Sequence, residues 1–90
     1  SNTNSKNTIS GASVKVYPNP FVDVVTFEYE GPSFRQITFS MFDLKGQLIK
    51  RGNFQDKKFQ IERGQLVAGM YFYRIEVDGQ LADGGKVIVR

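Results

Sequence analysis

The stretch from residue 69 to residue 77 constrains the fold of this chain more than any other feature of the sequence. It opens with a glycine, and its apolar side chains then recur with a period of two, at Tyr71, Tyr73, Ile75 and Val77. Charged residues occupy the alternate positions 74 and 76. Successive side chains of a strand point to opposite faces, so the pattern predicts one buried and one hydrated face. We expect a core strand that lies centrally in its sheet.

Shorter segments with the same period occur along the rest of the chain. They predict strands at residues 14–17, 24–30, 36–43, 47–51, 57–63 and 80–90. Between residues 77 and 80, Asp78-Gly79 predicts a type I′ hairpin, because both central residues of that turn need a positive φ. Gly84-Gly85 predicts a bulge or a kink in the last strand.

About seven short strands without a helical pattern predict an all-β protein, an Ig-like antiparallel β-sandwich. A small barrel is the alternative. We expect the core to contain Phe27, Ile37, Phe39, Tyr71 and Ile75. Five further phenylalanines lie at nominally outer positions, namely Phe21, Phe34, Phe42, Phe54 and Phe72. Either they form a flat patch for a sugar or a protein partner, or loops cover them, which is the favoured interpretation.

Composition excludes several classes of function. The 90 residues make one domain, which buries roughly 60–65% of its unfolded surface. Cysteine and histidine are absent, which removes disulfides, thiolate chemistry, the usual general base and the commonest zinc ligand. The formal charge of +3 is mild and its cations are interleaved with acids, which argues against nucleic-acid binding. We therefore predict no catalytic residue, no metal ligand, no cofactor and no nucleic-acid partner.

Four carboxylates in predicted turns are the remaining candidates for chemistry, namely Asp43, Asp56, Asp78 and Asp83. Converging carboxylates can bind calcium, but the chain lacks the D-x-D-x-D-G run of a calcium loop. No spacing singles out a pair for glycoside hydrolysis. Aspartate is also a common turn residue, and this is the favoured interpretation.

The first 13 residues differ in composition from the rest of the chain. They are mostly Ser, Asn and Thr, with one lysine and one isoleucine. Such a segment cannot bury enough apolar surface to order itself, so it predicts a flexible linker or tail before a domain at residues 14–90. The sequence shows no signal peptide and no initiator methionine. We expect it to be a piece of a longer protein or a mature fragment.

Four motifs follow one another in a fixed order. They are Val14-Lys15-Val16-Tyr17-Pro18-Asn19-Pro20-Phe21, the turn Phe42-Asp43-Leu44-Lys45-Gly46, the segment Leu66-Val67-Ala68-Gly69-Met70-Tyr71-Phe72-Tyr73, and the terminal Gly85-Lys86-Val87-Ile88-Val89-Arg90. Each is weak alone, but the series resembles the C-terminal sorting domain of the type IX secretion system (Por secretion system) of Gram-negative bacteria, in its type A form. The resemblance covers residues 14–90.

This resemblance implies an Ig-like sandwich at the end of a secreted protein, where it serves as a secretion signal. A cargo domain would precede it, and the type IX outer-membrane translocon with its shuttle components would recognise it. A cell-surface sortase would then remove the domain, leaving the cargo attached to the surface or released. The expected location is the periplasm in transit, and then the cell surface or the medium.

The motifs supply the candidate residues for translocon recognition, which are Pro18, Asn19, Pro20, Asp43, Gly46, Gly69, Tyr71, Lys86, Val87, Ile88, Val89 and Arg90. The candidate processing region consists of Ser5, Lys6, Asn7, Thr8, Ile9, Ser10, Gly11, Ala12 and Ser13. The last strand is apolar at Val87, Ile88 and Val89, which predicts either burial between neighbouring strands or an open edge. A partner could add a strand to an open edge, and two copies could dimerise weakly through it. Two alternatives stay open: a carbohydrate- or protein-binding Ig-like module, and an inert spacer within a larger surface protein.

Overall fold

Seven β-strands form the regular structure in the residues that the computed structural model describes, which are residue 9 and residues 11–90. In chain order they are β1 (Ser13–Tyr17), β2 (Val24–Glu30), β3 (Ile37–Phe42), β4 (Leu48–Phe54), β5 (Lys58–Glu62), β6 (Gly69–Val77) and β7 (Gln80–Val89). Their number and order agree with the sequence prediction. No helix in this part of the chain could span a membrane.

The strands form two antiparallel sheets that pack face to face. One sheet has three strands in the order β1-β2-β5, and the other has four in the order β4-β3-β6-β7. Two separate sheets confirm the predicted β-sandwich and exclude the small barrel. The strand β6 lies between β3 and β7, so the prediction of a central core strand at residues 69–77 is also confirmed.

Aromatic contacts around Phe27 join the two sheets. Its ring centroid lies 4.9 Å from that of Phe39 and 5.1 Å from that of Tyr73, both in the four-stranded sheet. It also stacks on Phe59 of its own sheet at 5.5 Å. Tilted and edge-on pairs at these separations stabilise a core beyond the area that they bury. The five residues predicted for the core are all buried, namely Phe27, Ile37, Phe39, Tyr71 and Ile75.

The strand β4 extends further than its sequence pattern indicated. We expected it to end at residue 51 and to be followed by a loose polar segment, but it continues to Phe54. There Phe54 lies opposite Ile37 and stacks on Phe59 of β5, with ring centroids 4.2 Å apart. The stack therefore extends the strand and joins the two sheets between β4 and β5.

The pair Gly84-Gly85 does not form the predicted bulge. Both residues lie in regular register opposite Arg74 and Tyr73, and the irregularity falls where Ala82 has no opposite residue. Glycine at residue 85 instead leaves room for the Tyr73 side chain, because a Cβ there would lie 3.0 Å from the Tyr73 hydroxyl oxygen, closer than ordinary van der Waals contact. The Tyr73 ring thus occupies the space that a side chain at residue 85 would fill.

The N-terminal segment is described only in part. Residues 1–8 and 10, which include most of the predicted linker, lie outside the described residues. The described remainder is in contact with the sandwich: Ser13 begins β1, and the backbone nitrogen of Ile9 donates a hydrogen bond to the Leu81 oxygen at 3.0 Å. Ile9 and Ala12 also pack against the core.

The hairpin between β6 and β7 has the predicted type I′ geometry. Asp78 and Gly79 have φ values of 51° and 84°. The Asp78 carboxylate accepts hydrogen bonds from the backbone nitrogens of Arg35 and Gln36, with Oδ1 distances of 3.1 and 3.0 Å. This side chain therefore connects the β6–β7 hairpin to the entry of β3.

We predict that Asp78→Ala lowers the free energy of unfolding by about 2 kcal/mol, because it loses these acceptors and places an alanine at positive φ. Asp78→Asn should cost less than half as much, since asparagine tolerates the left-handed region and keeps one acceptor oxygen. Urea denaturation of the two variants and of the parent domain measures the difference. Equal losses in the two variants would contradict the assigned role of the carboxylate.

Candidate recognition surface

The segment from residue 18 to residue 21 lies along the outer edge of β7. Phe21 forms a parallel bridge with Val89. Its nitrogen donates to the Ile88 oxygen at 2.9 Å, and the Arg90 nitrogen donates to the Phe21 oxygen at 2.8 Å. The Phe21 side chain is buried in the core. Because the ring is anchored there, the segment is held against the terminal strand.

Asn19 continues this pairing with its side chain in place of its backbone. The amide Nδ2 donates to the Lys86 oxygen at 3.2 Å, and Oδ1 accepts from the Ile88 nitrogen at 3.0 Å. The peptide bonds before Pro18 and Pro20 are both cis. The candidate residues of the first and last motifs, which are 67 or more positions apart in sequence, are therefore in direct contact.

The expectation of an open edge on the terminal strand is wrong. The strand β7 does lie at the end of its sheet, but several of its outward-facing backbone groups are engaged. Asn19 and Phe21 occupy those of Lys86, Ile88 and Arg90. Further along, Asp83 Oδ2 accepts a hydrogen bond from the β1 residue Val14. A partner could add a strand here only by displacing these groups, so the edge is not a ready template.

The side chains of the terminal motif divide between the core and the surface. Val87 and Val89 are buried, whereas Lys86, Ile88 and Arg90 are exposed. Alternation along β7 explains the division, because neighbouring side chains point to opposite faces of the sheet. The two buried valines are part of the fold, and the other three residues are accessible to a partner.

The other two motifs meet at one end of the four-stranded sheet. In the β3–β4 hairpin, Asp43 Oδ1 accepts from the nitrogens of Lys45 and Gln47, both at 2.9 Å, and Gly46 has a φ of 83°. Beside it runs the loop before β6, which Tyr71 fixes by donating its hydroxyl to the Val67 oxygen at 2.7 Å. The two loops line a shallow groove.

Strand pairing connects the two halves of this surface. Gly69 and Tyr71 lie opposite Val89 and Val87 in the register of β6 and β7. All four motifs therefore contribute to one end of the sandwich, although they are dispersed along the chain. In the sequence the motifs are related only by their order. The sheet register explains why they lie at the same end of the folded domain.

Sequence reasoning missed Arg63, which ties the terminal residue to two other segments. Its Nη1 donates to the Arg90 oxygen at 2.9 Å and its Nε to the Leu66 oxygen at 2.9 Å. Its backbone nitrogen donates to the Asp23 oxygen at 2.8 Å. An arginine after a short strand carries no signal of this role, because all three acceptors are backbone oxygens and two of them, those of Asp23 and Arg90, are distant in the sequence.

The five nominally outer phenylalanines do not form one patch. Phe21 is buried, Phe34 packs edge-on against Tyr29 at 5.3 Å, and Phe54 stacks on Phe59. The remaining two, Phe42 and Phe72, are paired across β3 and β6 on the outer face of the four-stranded sheet. Most of the set is covered, as the favoured interpretation expected.

The ionisable groups of the described residues act mainly in turns and strand contacts. Asp43 accepts hydrogen bonds from backbone nitrogens of its own turn, and Asp78 accepts them from Arg35 and Gln36 at the entry to β3. No group of three or more acidic side chains in the described part gathers as a metal would require. Burial raises the pKa of Tyr29 and of Tyr73, with nearby Asp78 and Asp83 adding to the respective effects. Both phenols are therefore neutral at pH 7.

We predict that Asn19→Ala destabilises the contact between residues 18–21 and β7 without unfolding the domain. The loss of two hydrogen bonds should lower the free energy of unfolding by about 1–2 kcal/mol and should speed amide exchange at Ile88 about tenfold. Asn53→Ala is the matched control, because Asn53 also accepts a side-chain bond, from Thr38 at 3.0 Å, but far from this edge. Unchanged exchange at Ile88 in the Asn19 variant would contradict the assignment.

Comparison with known proteins agrees with the motif order. A family profile described as the secretion system C-terminal sorting domain matches residues 15–90. The chain is similar to an endo-acting ulvan lyase from Formosa agariphila, with 30% identity over an alignment of 86 residues. The alignment covers 94% of this chain and 16% of the lyase. It therefore spans only a small part of that relative.

A solved structure shares the fold. The crystal structure of dimeric latent PorU from Porphyromonas gingivalis matches 97% of this chain and 10% of that chain, with a TM-score of 0.67. The sequence identity is 21%, so this likeness concerns the architecture alone. It places the two-sheet arrangement described above within a larger protein of known structure.

Proposed function

Because the chain belongs to the family of secretion system C-terminal sorting domains, we propose that it directs an attached cargo to the type IX translocon of the outer membrane and catalyses no reaction itself. Domains of this family are secretion signals, and the proteins that carry them are secreted to the cell surface or released. The observation that carries the proposal is the match over residues 15–90, which includes six of the seven strands entirely and most of β1.

The geometry supports recognition of the folded domain. The motif residues contact one another only through tertiary structure, as in the bonds from Asn19 to Lys86 and Ile88. An unfolded chain would present the terminal residues without the 18–21 segment beside them. We therefore propose that the translocon and its shuttle components bind the exposed motif residues of the sandwich, including Lys86, Ile88 and Arg90.

We further propose that a cell-surface sortase separates the cargo within the segment from Ser5 to Ser13. A protease needs an extended, accessible stretch of chain. Within that segment, Ile9 and Ala12 pack against the core, and Ile9 also binds Leu81 through its backbone. These contacts favour cleavage before residue 9.

A reporter fusion tests the export function. A fluorescent protein with a periplasmic signal peptide, followed by residues 1–90, is expressed in a host that has the type IX translocon. We predict that the reporter reaches the cell surface or the medium, and that it stays in the periplasm in a translocon-deficient host. The control is the same reporter without residues 1–90. Equal export from both hosts would refute the proposal, as would equal export by the control.

The same fusion tests the processing site. Intact mass and N-terminal sequencing of the separated domain should place its first residue between positions 5 and 14. A host that lacks the sortase should accumulate the uncut fusion. If the cut falls inside residues 14–90, or if cutting continues without the sortase, the proposed processing region is incorrect.

A further inference from the structure

The outer face of the four-stranded sheet presents a continuous apolar band, which consists of Leu48, Phe42, Phe72, Met70 and Ile88. Strand register connects the five side chains. Phe42 of β3 lies opposite both Leu48 of β4 and Phe72 of β6, and Met70 of β6 lies opposite Ile88 of β7. Met70 and Phe72 are two positions apart, so they share a face. The band therefore crosses all four strands, a width of roughly 14 Å at the usual strand spacing.

Two loops extend the apolar band at the end of the sheet. Leu44 and Val67 are 66% and 72% exposed, and their loops line the same groove as Met70. Only two other large apolar side chains in the described part of the chain are comparably exposed, Tyr17 and Val22. Isolated exposed apolar residues are normal in soluble proteins, but a contiguous group of this kind marks an interaction site.

Cationic side chains border the apolar band. On the sheet face, Arg51 and Arg74 both lie opposite Ser40, and Lys86 lies opposite Phe72. Lys45 is exposed in the adjoining hairpin, where the neighbouring carboxylate of Asp43 is bound to its own turn. The border is therefore positively charged.

A protein partner fits this arrangement better than a lipid surface or a second copy does. The Arg74 guanidinium lies 5.6 Å from the ring centroid of Phe42, so one cation of the border reaches over a ring of the apolar band. Inserting that charge into a hydrocarbon layer would be costly, whereas a protein can supply a carboxylate at a fixed position. Two copies of this face would oppose their cations. Exposed Phe, Met and Arg are also the residues enriched in protein interfaces.

We propose that the apolar band is a docking surface for a folded protein of the secretion machinery, whose own contact surface is apolar and bordered by Asp or Glu. This inference rests on the proposed function. It assigns recognition to side chains on the sheet face, since the backbone edge of β7 is already occupied by Asn19 and Phe21. Ile88 and Lys86 belong both to the terminal motif and to this face, which explains how a terminal motif can be recognised without an open edge.

The test combines export with stability in matched variants. Phe72→Ala removes an aromatic ring that is 39% exposed, and Gln60→Ala truncates an exposed side chain of β5 in the other sheet, outside the four motifs. We expect Phe72→Ala to reduce reporter export about tenfold, the effect of losing a central interface residue, and Gln60→Ala to leave export near the parent level. The thermal midpoints of the purified variants separate loss of recognition from loss of fold.

Charge reversal tests the border independently. Arg74→Glu should lower export, whereas Lys58→Glu, at an exposed position of β5 in the other sheet, should not. Export that falls equally in both variants, or that follows the thermal midpoint alone, overturns the inference. If the parent fusion itself is not exported, the proposed function fails and this inference fails with it. If the parent is exported and Phe72→Ala is exported equally well, only the inference fails.

Photo-crosslinking identifies the occupant. A benzophenone amino acid at position 72, in cells that export the fusion, should crosslink to a protein of the translocon or shuttle, and the same group at position 60 in the other sheet should not. A crosslink to a second copy of the fusion overturns the proposal. Co-sedimentation of the purified domain with phosphatidylglycerol vesicles, lost in Phe72→Ala, would assign the apolar band to a membrane surface and would also overturn it.

Discussion

The contact of Phe27 with both sheets is the interaction on which the rest of this structure depends. A 90-residue chain without disulfides has only a thin core, and here that core includes a cluster of aromatic rings, each with its centroid within 6.0 Å of a neighbour. The rings hold β2 and β5 against β3 and β6. Every surface described above depends on this packing, because the four motifs are far apart in the sequence and meet only in the folded sandwich.

The same dependence gives the terminal strand its two roles. Val87 and Val89 complete the core, while Lys86 and Ile88 face outward and Asn19, Phe21 and Arg63 bind the backbone around them. A signal built in this way is complete only when the domain is folded. It also lacks the open edge that makes terminal strands prone to unwanted pairing. Recognition through the outer sheet face is compatible with both properties.

The sequence predicted those features whose causes are local. Alternation identified β6, and Asp78-Gly79 identified its hairpin, because pattern and turn chemistry act within a few residues. The sequence did not predict the contacts between residues that are far apart in the chain. Nothing near Asn19 indicates that its amide pairs with β7. The two glycines at residues 84 and 85 suggest an irregularity there, but the irregularity falls at Ala82. The Tyr73 ring that packs against Gly85 lies on the neighbouring strand, so the sequence around Gly85 does not show it. The apolar band likewise appears only when four strands are aligned.

Methyl groups on the apolar band allow its role to be measured directly. The domain can be methyl-labelled in a deuterated background and bound to detergent-solubilised translocon, and saturation transferred from the partner can then be recorded at each methyl. Recognition through the sheet face predicts strong transfer to Met70 and Ile88 and little to Val22, which is exposed elsewhere. It also predicts that the Ile88 amide stays bonded to Asn19. Strong transfer to Val22 with none to Met70 and Ile88, or release of the Ile88 amide on binding, would contradict the account.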